Sequence, residues 1–147
     1  MNSIKSKEYE IVHEFQALPD VDSKYAHLFL LGESLPDFDP AYRNEDHLVK
    51  GCQSKLWFHL SQEEGKFHLT ADSNSMVIKG IAALLVRLIE GSSVEEIMDL
   101  SLDFVDEMSI WKLASSRNNG LMAMLDHIKQ AAQAELSGTY EGVKGSK

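Results

Sequence analysis

Residues 56–71 alternate between apolar and polar side chains, and this period of two constrains the fold more than any other feature. Two apolar sets are separated by a short connection that contains glycine: Leu56, Phe58 and Leu60, then residues 62–65, then Phe67, Leu69 and Ala71. Two alternating runs with such a link predict a β-hairpin. Leu48 and Val49 predict a short third strand before Gly51.

The segment that follows the hairpin predicts a buried helix. Residues 72–75 offer several side chains suited to an N-cap, and a helix from there runs to about Glu90. Its apolar residues nearly encircle it and leave only a narrow stripe with Lys79, Arg87 and Glu90. A helix that is apolar on nearly all sides is buried, so we expect it to lie across the sheet and to end at Gly91.

Other helices are predicted before and after this unit. Ile11 and Phe15 have helical spacing in a segment that Pro19 terminates, and Asp22 is a suitable N-cap for a second helix that reaches Gly32. Residues 34–46 lack a period and predict a surface loop with several solvated acids.

Two helices are predicted in the C-terminal third. Ser93 and Glu96 have the spacing of a capping box at the start of a short helix. The last helix begins near residues 115–116 and has one apolar face: Leu121, Met122, Met124, Leu125, Ile128, Ala131 and Ala132.

These elements predict an α+β fold in which a small antiparallel sheet, a hairpin plus a short strand, packs against several helices. The 147 residues suit one domain, which we place at residues 1–136. Residues 137–147 are rich in Gly, Ser and Lys and predict a disordered tail.

Charge and hydropathy exclude several classes of function. The chain has 14 Lys and Arg against 23 Asp and Glu, a net charge of −9. Such a balance argues against binding to nucleic acid or to an anionic membrane. The N-terminal residues have no apolar core of a signal peptide, and the longest apolar run, residues 76–89, is too short to span a bilayer.

Cys52 is the single cysteine of the chain. A lone thiol forms no intramolecular disulfide and no protein-only thiolate metal cage, and its use suits a reducing cytoplasm. Lone cysteines are often small buried hydrophobes. Cys52, however, stands in a predicted loop, where its neighbours are Gly51 and Gln53 and the ammonium group of Lys50 is two residues away. Both readings, an incidental cysteine and a reactive thiol, stay open from the residues alone.

Other candidate residues have ordinary structural explanations as well. Asp72 with Ser73 suits a cap of the buried helix, and Arg117 stands where it opposes the dipole of the last helix. None of the six histidines lies in a recognisable catalytic motif, and His59 and His68 are expected on a solvated face of the hairpin. Trp57 is expected to pack.

Four segments of the chain together resemble the SufE/CsdE family of cysteine desulfuration proteins. They are Gly51-Cys52-Gln53-Ser54 with Trp57 beyond it, Asp72-Ser73 followed by Lys79-Gly80, Ser116-Arg117-x-x-Gly120-Leu121, and Tyr25 with residues 28–32 and Leu35-Pro36. The order and spacing match from about residue 5 to 135. Two positions depart from the family pattern, since His47 stands where many members carry Asn and Ser115 where many carry Pro.

The resemblance implies a SufE/IscU-like α+β fold and a sulfur carrier. A SufS-like, PLP-dependent cysteine desulfurase would form a persulfide, Cys52 would accept its outer sulfur, and the sulfur would pass to an iron–sulfur scaffold. Lys50, Gly51, Gln53, Ser54, Asp72 and Arg117 would support the loop or the docking of the partner. The protein would have no cofactor or metal of its own and would not be an enzyme in isolation.

Two alternatives stay open beside the carrier. One is an interaction or regulatory module whose cysteine is incidental, and the other is an IscU-like cluster scaffold, which a single cysteine disfavours. For the carrier we also expect Cys52 to be partly shielded in the free protein, either by the last helix or by its apolar neighbours Leu48, Val49, Leu56 and Trp57.

Overall fold

The structure, a computed structural model, describes residues 3–49, 55–101 and 117–137. In chain order the elements are α1 (Ser3–Gln16), α2 (Val21–Glu33), a 3₁₀ turn (Pro40–Tyr42), β1 (Leu56–Glu63), β2 (Lys66–Ser73), α3 (Met76–Ile89), α4 (Val94–Asp99) and α5 (Arg117–Ser137). This is an α+β fold, as predicted. The expected tail falls almost wholly outside the described residues, although Ser137 is the last residue of α5, so the tail and the domain limits stay predictions.

The predicted hairpin is confirmed, with β1 and β2 antiparallel in a register from Leu56↔Ser73 to Glu63↔Lys66. A two-residue turn joins them, in which Glu64 and Gly65 have φ of 55° and 81°. Positive φ at both central positions is the geometry that matches the twist of the flanking strands. The apolar residues of both strands are buried on one face, as their alternation predicts.

The expected third strand is reduced to one bridge, Leu48↔Trp57. The Val49 N–H donates to Leu56 O at 2.8 Å and the Phe58 N–H donates to His47 O at 3.0 Å. The preceding backbone turns away, because the His47 N–H bonds back to Asn44 O. Pairing therefore cannot continue toward the N-terminus.

The core lies between the apolar face of the hairpin and the helices, with α3 at its centre. Nine residues of α3 are buried, and α5 adds Met124, Leu125 and Ile128. The capping box of α4 is present as predicted, with the Ser93 hydroxyl accepting from the Glu96 N–H and the Glu96 carboxylate accepting from the Ser93 N–H. Gly91, with φ of 77°, follows α3 as expected.

Three local predictions were wrong. The N-cap of α2 is Asp20, whose carboxylate accepts from the Ser23 N–H at 2.8 Å, while Asp22 lies in the first turn. Ser75 caps α3, and Asp72 belongs to β2. Met122, placed on the apolar face of the last helix, is 51% exposed because it points away from the packed side of α5.

Helices α2 and α3 approach each other closely at two glycines. A Cβ atom built on Gly80 would lie 2.4 Å from Leu28 O and 2.6 Å from Leu28 Cγ, and one built on Gly32 would lie 3.0 Å from Gly80 N. No real Cβ tolerates the first of these distances. Glycine at residue 80 therefore lets the two backbones touch, which gives a structural reason for the Lys79-Gly80 segment.

An ion pair network joins α1, α2 and α3. Arg87 donates to both carboxylate oxygens of Glu14, at 3.0 and 3.3 Å, and His27 Nε2 contacts the same carboxylate. Partial burial alone would raise the pKa of Glu14, but the hydrogen bonds and charges of Arg87 and His27 together lower it below its ordinary value. Glu14 therefore stays ionised and clamps the three helices.

Candidate functional site

The predicted sulfur-bearing residue and its immediate neighbours, Lys50, Gly51, Cys52, Gln53 and Ser54, lie outside the described residues. What the structure does describe is the chain on each side of them. The candidate site is therefore described by the residues that flank this segment, Val49 and Lys55, and by the surface at the end of the hairpin next to them.

The N-terminal end is Val49, which is 3% exposed and hydrogen-bonded to Leu56 across the bridge described above. The C-terminal end is Lys55. Its N–H donates to Asn74 Oδ1 at 3.0 Å, and its carbonyl accepts from the Ser73 hydroxyl at 2.7 Å and from the Asn74 N–H at 3.2 Å. Both ends are therefore fixed to the hairpin.

Asp72 lies in β2 directly opposite Trp57 of β1. It is 9% exposed and pairs with two cations, the Arg43 guanidinium at Oδ2 and the Lys79 ammonium at Oδ1, the latter at 3.4 Å. The sequence pattern predicted a helix cap here, and the structure instead gives an ion cluster that joins the loop before the hairpin to the helix after it.

Arg43 is held by aromatic rings as well as by Asp72. Its guanidinium carbon lies 5.6 Å from the centroid of the Trp57 ring and 5.9 Å from that of Phe38. Cation–π contacts of this length favour a fixed guanidinium. Trp57 packs as predicted, but it does so against a cation.

A second polar cluster lies at the same end of the hairpin and centres on His47, which is fully buried. Asn44 Nδ2 donates to Ala41 O at 2.9 Å, so Asn44 Oδ1 faces His47 and accepts from its Nδ1–H at 2.8 Å. His47 Nε2 lies 3.3 Å from His59 Nδ1.

The ring of Tyr42 covers His59, with centroids 3.6 Å apart and planes within 7°. The prediction of a solvated face was therefore wrong for His59, because the loop folds back over this end of the hairpin. At the other end, His68 is exposed and pairs with Glu90, as a solvated face would allow.

Arg117 is the candidate residue most distant in sequence from the Cys52 segment. It has a helical backbone at the start of the described part of α5, and its side chain is outside the described residues. Its proposed role is therefore untested. Sequence reasoning missed Arg43 and the buried role of His47. Arg43 follows a stretch without periodicity, so no pattern pointed to it. The one local signal for His47 was that it stands where many members of the SufE/CsdE family carry Asn.

Within the described residues, no group of three or more His, Cys, Asp or Glu side chains is arranged to hold a metal ion. In the same part of the chain, no helix has both the length and the apolar character needed to cross a membrane.

These features define a small α+β protein whose candidate site lies at one end of a β-hairpin, beside the two anchored residues Val49 and Lys55. The chain belongs to the SufE family: the family model described as "Fe-S metabolism associated domain" matches residues 9–132. The predicted resemblance is confirmed.

Several curated proteins are similar over most of the chain. SufE-like protein 1, chloroplastic/mitochondrial, of Arabidopsis thaliana is 34% identical over 99% of the chain, which spans only 40% of the plant protein. The sulfur acceptor protein CsdE of Escherichia coli is 30% identical, with 81% of this chain and 83% of CsdE covered. The cysteine desulfuration protein SufE of Wigglesworthia glossinidia brevipalpis is 29% identical, with 88% and 92% covered.

A solved structure shares the fold. The solution structure of a hypothetical protein from Thermus thermophilus superimposes with a TM-score of 0.75 over 89% of this chain and 96% of that one, at 23% identity. At this identity the likeness supports the fold alone.

Proposed function

We propose that the protein is a sulfur acceptor that takes persulfide sulfur from a SufS-type, PLP-dependent cysteine desulfurase onto Cys52, stimulates that enzyme and passes the sulfur to iron–sulfur cluster assembly. The observation that carries this proposal is the single thiol in a Gly51-Cys52-Gln53-Ser54 segment of a chain that belongs to the SufE family. The names of the two bacterial relatives, a sulfur acceptor and a desulfuration protein, support the same role.

The anchors on both sides of the segment suit a carrier thiol. Cys52 is three residues from Val49 and three from Lys55, so chain length alone keeps it within about 11 Å of either anchor. A thiol tethered between fixed ends reaches a partner without a large search. Such a tether suits one atom passed between two proteins.

The transfer step is thiol exchange with one sulfur displaced. The Cys52 thiolate attacks the outer sulfur of the partner's cysteine persulfide, a new S–S bond forms on Cys52, and the donor S–S bond breaks. The donor cysteine leaves as a thiolate and takes up the proton that Cys52 gave up. No net oxidation occurs, so the step needs no metal or oxidant, and PLP belongs to the partner. A reducing compartment such as the cytoplasm is part of the proposal, because it keeps the acceptor thiol available.

Intact-mass measurement after incubation with a SufS-type desulfurase and cysteine tests the proposal. We expect a mass increase of one sulfur atom on the wild-type chain, reversed by a reductant, and no increase on Cys52→Ser. The desulfurase rate should rise with the wild type and not with the variant. Full stimulation by Cys52→Ser would instead favour an interaction module whose cysteine is incidental.

A further inference from the structure

Two cations from distant parts of the sequence share one carboxylate at the end of the hairpin. Asp72 pairs with Arg43 of the loop and with Lys79 of α3, so two positive charges and one negative charge leave a net charge of +1. This excess stands out in a chain with a net charge of −9. Among the described residues, this trio has an excess of one positive charge, which is the complement of one further carboxylate.

The two cations are held in place yet reach solvent. Asp72 is fixed in β2, and the guanidinium of Arg43 also lies over the rings of Trp57 and Phe38. The side chains of Arg43 and Lys79 are nevertheless 44% and 35% exposed. Holding a side chain in its binding geometry before the partner arrives reduces the entropy lost on binding. Arg and Trp are also the residue types most enriched where interfaces gain their energy.

This cationic surface adjoins the anchors of the Cys52 segment. Trp57 directly follows Leu56, whose carbonyl accepts from Val49, and Asp72 directly precedes Ser73, whose hydroxyl binds Lys55 O. A protein that presents a persulfide to Cys52 therefore approaches Arg43 and Lys79 at the same time.

We propose that Arg43 and Lys79 form a docking surface for an acidic patch, Asp or Glu side chains, on the cysteine desulfurase. Asp72 is a positioning residue: it holds both cations and does not itself meet the partner. This inference rests on the proposed function, because it names how the same partner is recognised. The alternative is that the trio only fastens the loop to the hairpin and contributes nothing to binding.

Binding constants for a SufS-type desulfurase that the wild type stimulates test the docking surface, with Lys79→Gln and Arg43→Lys as the two variants. Lys79→Gln removes a charge and leaves the Arg43–Asp72 pair intact, and Arg43→Lys keeps the charge but loses the planar fork. Lys66→Gln is the matched control, since the register places Lys66 roughly 20 Å along the hairpin from Trp57.

We expect about 3- to 10-fold weaker binding for Lys79→Gln and Arg43→Lys, and an unchanged constant for Lys66→Gln. The Lys79→Gln defect should shrink when the salt concentration rises from 0.1 M to 1 M, because the screening length falls from about 10 Å to about 3 Å. Melting temperatures of the variants separate lost binding from lost folding.

Wild-type affinity in folded Lys79→Gln and Arg43→Lys would overturn the docking surface, and so would an equal loss in Lys66→Gln. Neither outcome touches the proposed function, which is tested by the sulfur gained on wild-type Cys52 and by the lost stimulation in Cys52→Ser. The two proposals are therefore refuted by different measurements.

Discussion

Replacing Gly80 by Ala tests how closely α2 approaches α3. The new Cβ would lie 2.4 Å from Leu28 O, whereas ordinary van der Waals contact begins at 3.4 Å, so α2 would have to move by about 1 Å. The obstructing atoms include backbone, and a change of side-chain rotamer cannot remove them. Leu28 is fully buried, so the displacement also disturbs the core.

The expected loss follows from two opposed contributions. Overpacking a core typically costs about 1–3 kcal/mol, and a backbone clash belongs at or above the upper end of that range. Alanine gains about 1 kcal/mol over glycine in a helix. The net loss of unfolding free energy should therefore be about 2–3 kcal/mol, which lowers the melting temperature by roughly 5–10 °C in a domain of this size.

Denaturant unfolding followed by circular dichroism measures this difference, and Gly32→Ala provides a graded comparison. The nearest atom to a Cβ at Gly32 is 3.0 Å away, so its loss should be clearly smaller. Below its melting temperature, Gly80→Ala should still accept sulfur, since the glycine serves packing. An unfolding free energy equal to or above the wild-type value would refute the close crossing of the two helices.

Four further outcomes are expected. Glu14→Gln should lower the unfolding free energy by about 1 kcal/mol at pH 7. Because the folded-state pKa of Glu14 lies below 4.5, the wild-type advantage should persist above that pH and vanish as the pH falls through the folded-state pKa. Urea unfolding at several pH values measures this trend, and an advantage that does not change with pH would contradict it. Asp72→Asn should cost about 1–2 kcal/mol by the same assay, since two cations lose their shared charge; no loss would mean that the trio is not an ion cluster. Arg117→Ala should change the melting temperature little and weaken desulfurase stimulation, and the reverse pattern would make Arg117 structural. Cys52 should react with iodoacetamide more slowly in the free protein than with a desulfurase bound, and equal rates would exclude shielding.

The elements that sequence predicted correctly are those with a local physical cause. The alternation of apolar and polar residues around Phe58 and Phe67 indicates which face of the hairpin is buried. The apolar residues on nearly all sides of α3 indicate that this helix lies at the centre of the core. The capping box of Ser93 and Glu96 is satisfied within four residues. Each of these signals depends on neighbours in the chain, so a single sequence is enough to find them.

The features that sequence missed depend on residues far apart in the chain. Arg43 meets Asp72 across 29 positions, and no spacing rule connects a loop residue to the end of a later strand. The choice of Asp20 over Asp22 as the cap of α2 was equally open, because both are suitable cap residues and only the path of the backbone decides. The role of the candidate thiol stays a prediction from the sequence, and the surface beside its two anchors comes from the fold.

The two polar clusters explain why the loop before the hairpin, which lacks periodicity, is nevertheless fixed. Tyr42 stacks on His59, Arg43 pairs with Asp72, and His47 fills the buried edge beside the bridge. Because the loop ends at Val49, these contacts also set the position of the N-terminal anchor of the Cys52 segment. In this chain the imidazole of His47 takes part in fixing this anchor, at a position where the SufE/CsdE pattern favours Asn. The shorter amide side chain of a His47→Asn variant would lose the contact with His59 Nδ1. The polar residues of the loop therefore act on the thiol through the backbone, by fixing one end of the segment that carries it.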